Sequence, residues 1–422
     1  METFFKEIKV AFLMTLICIV AGYFLLVFVK IIPNKYIQQN IVLSAEELKT
    51  EGDTPFLYTN GCFLDNFSDA DALAVAYNNK THNPFYNALY CFNYYIGNHG
   101  ASRGVEALYQ TVTNLEHNMK YYDHSHEWHG YQVWLKPILL IYDISDIRFI
   151  CFFFTQFLFI IVCIELYKYF KNYWNILPFF ISYEFFCFSI ESMSFLFCMD
   201  IVTMLLSCIA IIYSYRKNLS EKYFCYIFTL TGISAAYFSM FTMPIITIGF
   251  PIIVYISLLN TNEVKTKQLY SFFQYFFYWL FGYFVMGLSK IFITIMLFNA
   301  TKGISGIKWY TGFTLNVSLS ERVEKVIYYV TNFNNYSEFK FYFLLLIFVF
   351  ILFKIVIKDM RKKKKVIISI TQVLPYFIIS ILPILWVFIV AVHVPERTMF
   401  LFSISIFSVL QFLWNFHKKV YK

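Results

Sequence analysis

The stretch AFLMTLICIVAGYFLLVFV, residues 11–29, decides how the rest of this chain is read. It runs uncharged for long enough to cross a hydrocarbon core about 30 Å thick as a helix. Lys6 and Lys9 precede it and no small-residue cleavage motif follows, so it reads as a retained signal anchor with its N-terminus inside. The next hundred or so residues, roughly Asn34 to Tyr131, are mostly polar, and beyond them apolar runs resume. With the N-terminus inside, that polar block lies outside the cytoplasm.

The whole chain supports a membrane reading. It is 59% hydrophobic and only 14% charged, with 52 Phe and 34 Tyr in 422 residues, where a soluble domain is nearer half apolar and a quarter charged. The fold class this predicts is an all-α polytopic membrane protein. About ten transmembrane helices are expected, with a large helical extracytoplasmic loop after the first. The spans fall near 9–31, 149–167, 173–190, 193–214, 223–240, 243–259, 270–299, 341–357, 366–392 and 398–415. The chain divides accordingly into a first helix (1–33), a loop platform with interfacial helices (34–148), helices two to seven (149–300), a second outer loop (301–340), and the last three helices with a basic tail (341–422).

Lys and Arg in the short loops set the orientation. Lys168, Lys171, Arg216, Lys217, Lys222, Lys265, Lys267, the run Lys358 to Lys365, and Lys418, Lys419 and Lys422 all fall on one side. The short connections on the other side hold only Arg397. Both termini are therefore expected in the cytoplasm, in what reads as a bacterial cytoplasmic membrane. The net charge of +8 belongs to these loops, so nucleic acid is not an expected partner, whereas membrane lipid is.

Within the first loop, Val105, Leu108, Val112, Leu115 and Met119 recur at spacings of three and four, which predicts an amphipathic helix over 102–120 packed on the bundle or the bilayer surface. A second helix is expected over 69–78, capped by Ser68 or Asp69. Cys62 and Cys91 share the loop and would pair in an oxidising compartment.

Three groups of residues carry chemistry. Asp65 and Asp69 stand four apart, so on a helix they share a face and would hold a divalent cation or act as general base. The run His124 to Tyr131 reads either as a metal site or as an interfacial Trp/His/Tyr segment, with His129 as a substrate or phosphate contact. The third group is ionisable and lies in or beside spans, toward the outer side: Glu184, Glu191, Asp200 and Lys290, with Arg148 and Arg397 nearby. Charge at that depth is costly and usually faces a cavity or a partner. Glu184 and Glu191 are seven apart and would share a face of an unbroken helix.

An N-in helix, a large outer loop bearing Asp65 and Asp69 ahead of a helical segment, then many spans: this order resembles the GT-C class of membrane glycosyltransferases. The resemblance is architectural. It implies an enzyme that moves a sugar from a polyprenyl-phosphate-linked donor to an envelope glycan or lipid acceptor on the outer face of the membrane. The acids of the first loop would be catalytic, and basic residues such as Arg148, Lys290 and Arg397 would neutralise the departing phosphate. In that class the acid usually follows the first span closely, and Glu46, Glu47, Glu51 and Asp53 are the alternatives on that ground. Two other readings stand beside it: a polysaccharide polymerase of the O-antigen type, and a non-enzymatic flippase or transporter of lipid-linked glycans.

Overall fold

The computed structural model describes residues 2–58, 62–78, 81–96, 104–113, 119–123, 125–185, 188–239, 243–259, 267–297, 317–331, 363–390, 401 and 404–411. The first apolar run lies in α1 (Glu2–Ile31). The polar block then builds α2 (Gln38–Glu51), β1 (Phe56–Tyr58), β2 (Cys62–Phe63), α3 (Asn66–Tyr77), α4 (Pro84–Asn87), β3 (Phe92–Ile96), α5 (Val105–Val112), β4 (Met119–Asp123) and α6 (Gln132–Ile138). The rest is helical: α7 (Ile144–Phe170), α8 (Leu177–Phe185), α9 (Phe188–Glu191), α10 (Phe195–Arg216), α11 (Glu221–Phe238), α12 (Ile246–Leu259), α13 (Lys267–Leu297), α14 (Leu319–Thr331) and α15 (Lys363–Val390), with a last helical stretch over 404–411.

Among the described residues, four helices are long and apolar enough to cross a membrane: α1, α7, α10 and α13. Their outward faces are clothed in large apolar side chains, such as Phe12, Leu16 and Phe24 on α1, Phe153, Phe157 and Ile160 on α7, and Phe284, Leu288 and Phe292 on α13. An exposed apolar surface of that extent suits lipid and not water. α12 is apolar on all sides and almost wholly buried, as a helix at the centre of a bundle must be. α11 and α13 approach most closely at Gly232 and Gly282. A Cβ at Gly232 would stand 2.1 Å from the Trp279 carbonyl oxygen, and one at Gly282 would stand 2.3 Å from that of Thr229.

The loop helices form a cap over one end of this bundle. α2 packs on α3, α5 and α7; α3 also touches α10, and α6 touches α1 and α3. The hydrophobic core is continuous across the seam, from Ile41, Leu48 and Leu73 in the cap to Phe195 and Ile201 in the bundle.

Several sequence expectations are corrected here. The helix of 102–120 is shorter: α5 spans Val105–Val112, and Met119–Asp123 is a strand paired antiparallel with Phe92–Ile96. Both segments are rich in Tyr and Phe, which favour extended backbone over helix. α5 buries Val105, Leu108 and Val112 against the cap's own α2 and α3. The helix expected from residue 69 begins at Asn66, with Asp65 as its N-cap. The first loop therefore contains two short antiparallel ribbons, β1–β2 and β3–β4, besides its helices. α7 starts at Ile144, capped by Asp143, so 144–148 belong to the bundle and not to the loop. The run 173–190 is divided between α8 and α9, and α12 is short for a span. The stretch 341–357 and most of 398–415 lie outside the described residues, as does the side chain of Cys62, so its pairing with Cys91 is not covered.

Candidate functional site

Asp65 and Asp69 do not form a shared helix face. Asp65 precedes α3 and accepts the Ser68 backbone N–H through Oδ1 (3.0 Å), while its own N–H donates to Ser194 Oγ (3.0 Å). Asp69 is fully buried and accepts the Phe195 N–H through Oδ1 (2.8 Å). The two carboxylates thus sit at the N-terminal ends of α3 and α10, where orphan N–H groups and the helix dipole favour negative charge. They tie the cap to the start of α10.

Arg148 is also engaged. Its Nη1 lies 2.9 and 3.1 Å from the two carboxylate oxygens of Glu51, and Nη2 donates to Asn66 Oδ1 (2.6 Å). Glu47 stands 3.7 Å away. Asn66 closes the ring by donating to Glu51 (2.9 Å) and to the Gly52 carbonyl (2.8 Å). This buried guanidinium is a clamp joining α2, α3 and α7.

Of the run 124–131, expected as a metal site or an interfacial segment, His124 lies outside the described residues, and 125–131 with Gln132 are buried between cap and bundle. Trp128 donates through Nε1 to the Met286 carbonyl on α13 (2.7 Å) and packs on Tyr237 of α11. Gly130 donates its N–H to the Tyr237 carbonyl (2.8 Å), and a Cβ there would stand 2.3 Å from the Tyr237 ring. The Tyr237 hydroxyl in turn donates to the Gly22 carbonyl on α1 (2.7 Å). Backbone carbonyls of α13 and α11 thus take up the N–H groups of this plug, and α1 takes up the Tyr237 hydroxyl behind it. His129, in the left-handed region at φ 52°, puts Nδ1 2.9 Å from the Tyr131 hydroxyl oxygen. Lys290 donates to the Ala88 carbonyl (3.3 Å) and lies 5.3 Å over the Trp128 ring.

Acidic groups gather behind this plug. Glu127 is buried, and its Oε2 makes no hydrogen bond. His126 Nε2 stands 3.7 Å from its other oxygen. Burial, with the nearby charge of Asp71, raises the Glu127 carboxyl to about 8. Asp71 is itself buried on α3. The Tyr131 hydroxyl is held well above its ordinary range by burial and then by Cys91, Glu127 and Asp71. Deeper in the bundle, Asp200 accepts the Ser239 hydroxyl (3.0 Å), and Tyr283 lies within electrostatic reach of both Asp200 and Glu127.

Cationic groups gather beside them. Lys30, in the last turn of α1, donates to the Val75 carbonyl (2.8 Å), and Lys136 of α6 donates to Asn34 Oδ1 (3.0 Å). Both are buried, and Asn34 also bonds the Tyr77 carbonyl. Burial first, and then the like charge of Lys30, lowers the Lys136 ammonium to about 7.

Of the residues expected from sequence, the structure brings His129 and Lys290 into this buried region and places Asp200 below it. Asp65, Asp69 and Arg148 are given to the cap–bundle seam. Glu184 is exposed and accepts the Ser189 hydroxyl (3.0 Å). It shares no helix face with the buried Glu191, because α8 ends at Phe185 and α9 starts at Phe188. Arg397 lies outside the described residues. In sequence Asp71 reads as a solvated acid at a helix start and Lys136 only as part of the run after Tyr131, while Lys30 and Gln132 do not stand out; the structure buries all four. A signal for Asp71 existed: its helix reads Ala-Asp-Ala-Leu-Ala-Val-Ala from Ala70, apolar on all sides, and such a helix is buried. Among the described residues no group of three or more His, Cys, Asp or Glu side chains is arranged to hold a metal ion. No protein-family model, no curated protein and no solved structure matches this chain.

Proposed function

We propose that this chain is a GT-C-like membrane glycosyltransferase, moving a sugar from a polyprenyl-phosphate-linked donor to an envelope glycan or lipid acceptor. In this reading about ten helices span a bacterial cytoplasmic membrane, both termini are cytoplasmic, and the cap lies outside. The observation that carries the reading is the buried Asp71–Glu127 pair, set where the cap meets the bundle. Two buried carboxylates that act on one another hold different protonation states near neutral pH, which is how one site supplies both a base and an acid. Asp71 takes the proton of the acceptor hydroxyl. The acceptor oxygen then attacks the anomeric carbon, the bond to the phosphate oxygen breaks, and its electron pair leaves with the phosphate. Glu127, protonated, keeps the pair singly charged while the acceptor binds.

This moves the acid–base role from Asp65 and Asp69, which cap helices, to Asp71 and Glu127. The test is transfer by the purified protein in proteoliposomes, supplied with polyisoprenyl-phosphate-linked hexoses. Asp71→Asn should lower the rate by about a hundredfold or more, the usual scale for a lost general base. Asp65→Asn and Asp69→Asn keep an oxygen acceptor for their N–H partners and should stay within a few-fold of wild type. Undiminished transfer by Asp71→Asn and Glu127→Gln would remove this assignment.

A further inference from the structure

Two of the cations first expected at the site are committed elsewhere: Arg148 is held by Glu51 and Asn66, and Lys290 by a carbonyl and an indole face. Lys30 and Lys136 are different. Lys136 is fully buried and Lys30 only 6% exposed. No described carboxylate lies within ion-pair distance of either. Lys30 is close enough to Lys136 for its charge to bear on that ammonium. What they do touch is the C-terminal end of α3, through the Val75 carbonyl directly and the Tyr77 carbonyl by way of Asn34. A helix end offers about half a negative charge. Against two ammoniums that leaves an excess of positive charge in a buried place, which is costly unless an anion completes it.

A third donor stands with them. Gln132 and Lys136 are four apart on α6, so they share a face of that helix. Gln132 is fully buried beside the Tyr131 hydroxyl, which feels its amide, yet neither its amide nitrogen nor its amide oxygen makes a hydrogen bond of ordinary geometry. The position limits the ligand further. Lys30 follows the uncharged run 11–29 directly, so a helix spanning the bilayer sets it at the level where lipid phosphates stand. An anion with several oxygens, able to take two ammoniums and an amide N–H, meets these demands, and lysine serves phosphate well as a point charge.

We infer that Lys30, Gln132 and Lys136 form a binding site for a phosphate group at the junction of α1, α3 and α6. The inference rests on the transferase reading only for the lipid that would carry the phosphate; the phosphate itself follows from two buried ammoniums with no described carboxylate in ion-pair range and a buried amide on the same helix face. Thermal unfolding of the purified full-length protein tests it without any sugar present. In detergent, sodium phosphate is titrated against sodium chloride at matched ionic strength. In nanodiscs, phosphatidylcholine is compared with and without a polyisoprenyl monophosphate.

The wild-type melting temperature should rise, saturably, with one or both probes. A response to inorganic phosphate means that the phosphate group suffices. A response only to the lipid means that the chain is also needed. Lys136→Met and Gln132→Leu should each weaken the response by about tenfold or more, the scale of a lost hydrogen bond to a charged group. Lys136→Met should also unfold no lower than wild type in chloride, since it removes an uncompensated charge. A merely structural lysine would instead lower the melting temperature equally with and without phosphate. If Lys136→Met does not purify, Gln132→Leu carries the same comparison. A wild-type protein indifferent to both probes, or variants that respond in full, would overturn the inference. Phosphate binding without sugar transfer would keep this site and remove the transferase reading, and transfer with an intact response in the variants would do the reverse.

Discussion

Two positions separate Asp69 from Asp71, and the neighbours of each decide its work. Asp69 meets the N–H of Phe195, and Asp71 turns its charge toward the carboxyl of Glu127. The Asp71–Glu127 coupling has a consequence for stability. The Glu127 carboxyl stands at about 8 in the folded protein against an ordinary 4.5. Between those values the unfolded chain has released the proton and the native chain still holds it, so stability falls as pH rises through that window. Lys136 works in the opposite sense. Its ammonium stands at about 7 against an ordinary 10.5, so its contribution makes stability rise as pH goes from about 7 to 10.5. Melting temperatures of wild type and Glu127→Gln, taken from about pH 5 to pH 7, isolate the first effect. The variant should lose much less stability over that interval; parallel curves would mean that Glu127 is ionised throughout. None of this was legible in sequence. Glu127 is one acid in a polar run, and what shifts it is first its burial with the plug of 125–132 and then the charge of an aspartate more than fifty positions earlier.

At the scale of elements, the apolar periodicity of the first loop located α5 but not its end. The spacing that included Met119 was coincidental, because β4 pairs with β3 and that pairing is invisible to a local window. The face itself was right: Leu108 is buried between α5 and its neighbours α2 and α3. Leu108→Asp removes a buried leucine and leaves an unpaired charge, at a cost of roughly 3–5 kcal/mol. Chemical denaturation of the detergent-solubilised protein measures it, and an unchanged midpoint would refute the packing. The contact between α11 and α13 gives a second case. The carbonyl facing Gly232 is backbone and has no side-chain rotamer by which to yield. Gly232→Ala must therefore push the two helices apart, at about 1–3 kcal/mol or more. The same substitution at Gly287, where a Cβ would meet nothing within 4 Å, should be tolerated, and equal losses at both positions would point to helix propensity and not to the crossing.

At the scale of the whole molecule, the helical bundle was the most legible feature, because an apolar run needs only local sequence to declare itself. Four long apolar helices stand where such runs predicted them. The site was the least legible, because it is assembled from α1, α3, α6 and the 125–132 segment, parts that only folding brings together. Orientation lies between these extremes, since it follows from where charge sits relative to the spans. His82 and Asn83 are exposed on the cap, and Lys217 and Asn218 are exposed where α10 turns into α11. The positive-inside rule places the second pair in the cytoplasm, beside Arg216 and Lys222, and the first pair outside. Single cysteines at these points separate the two sides, because the described native cysteines are buried or partly buried and label slowly. His82→Cys should react with a membrane-impermeant maleimide on intact cells, and Asn218→Cys only after the membrane is permeabilised. The reverse pattern would put the cap and its buried acids in the cytoplasm. A lipid-linked donor presented at the outer leaflet would then have no route to Asp71, and the transferase reading would fall with the orientation.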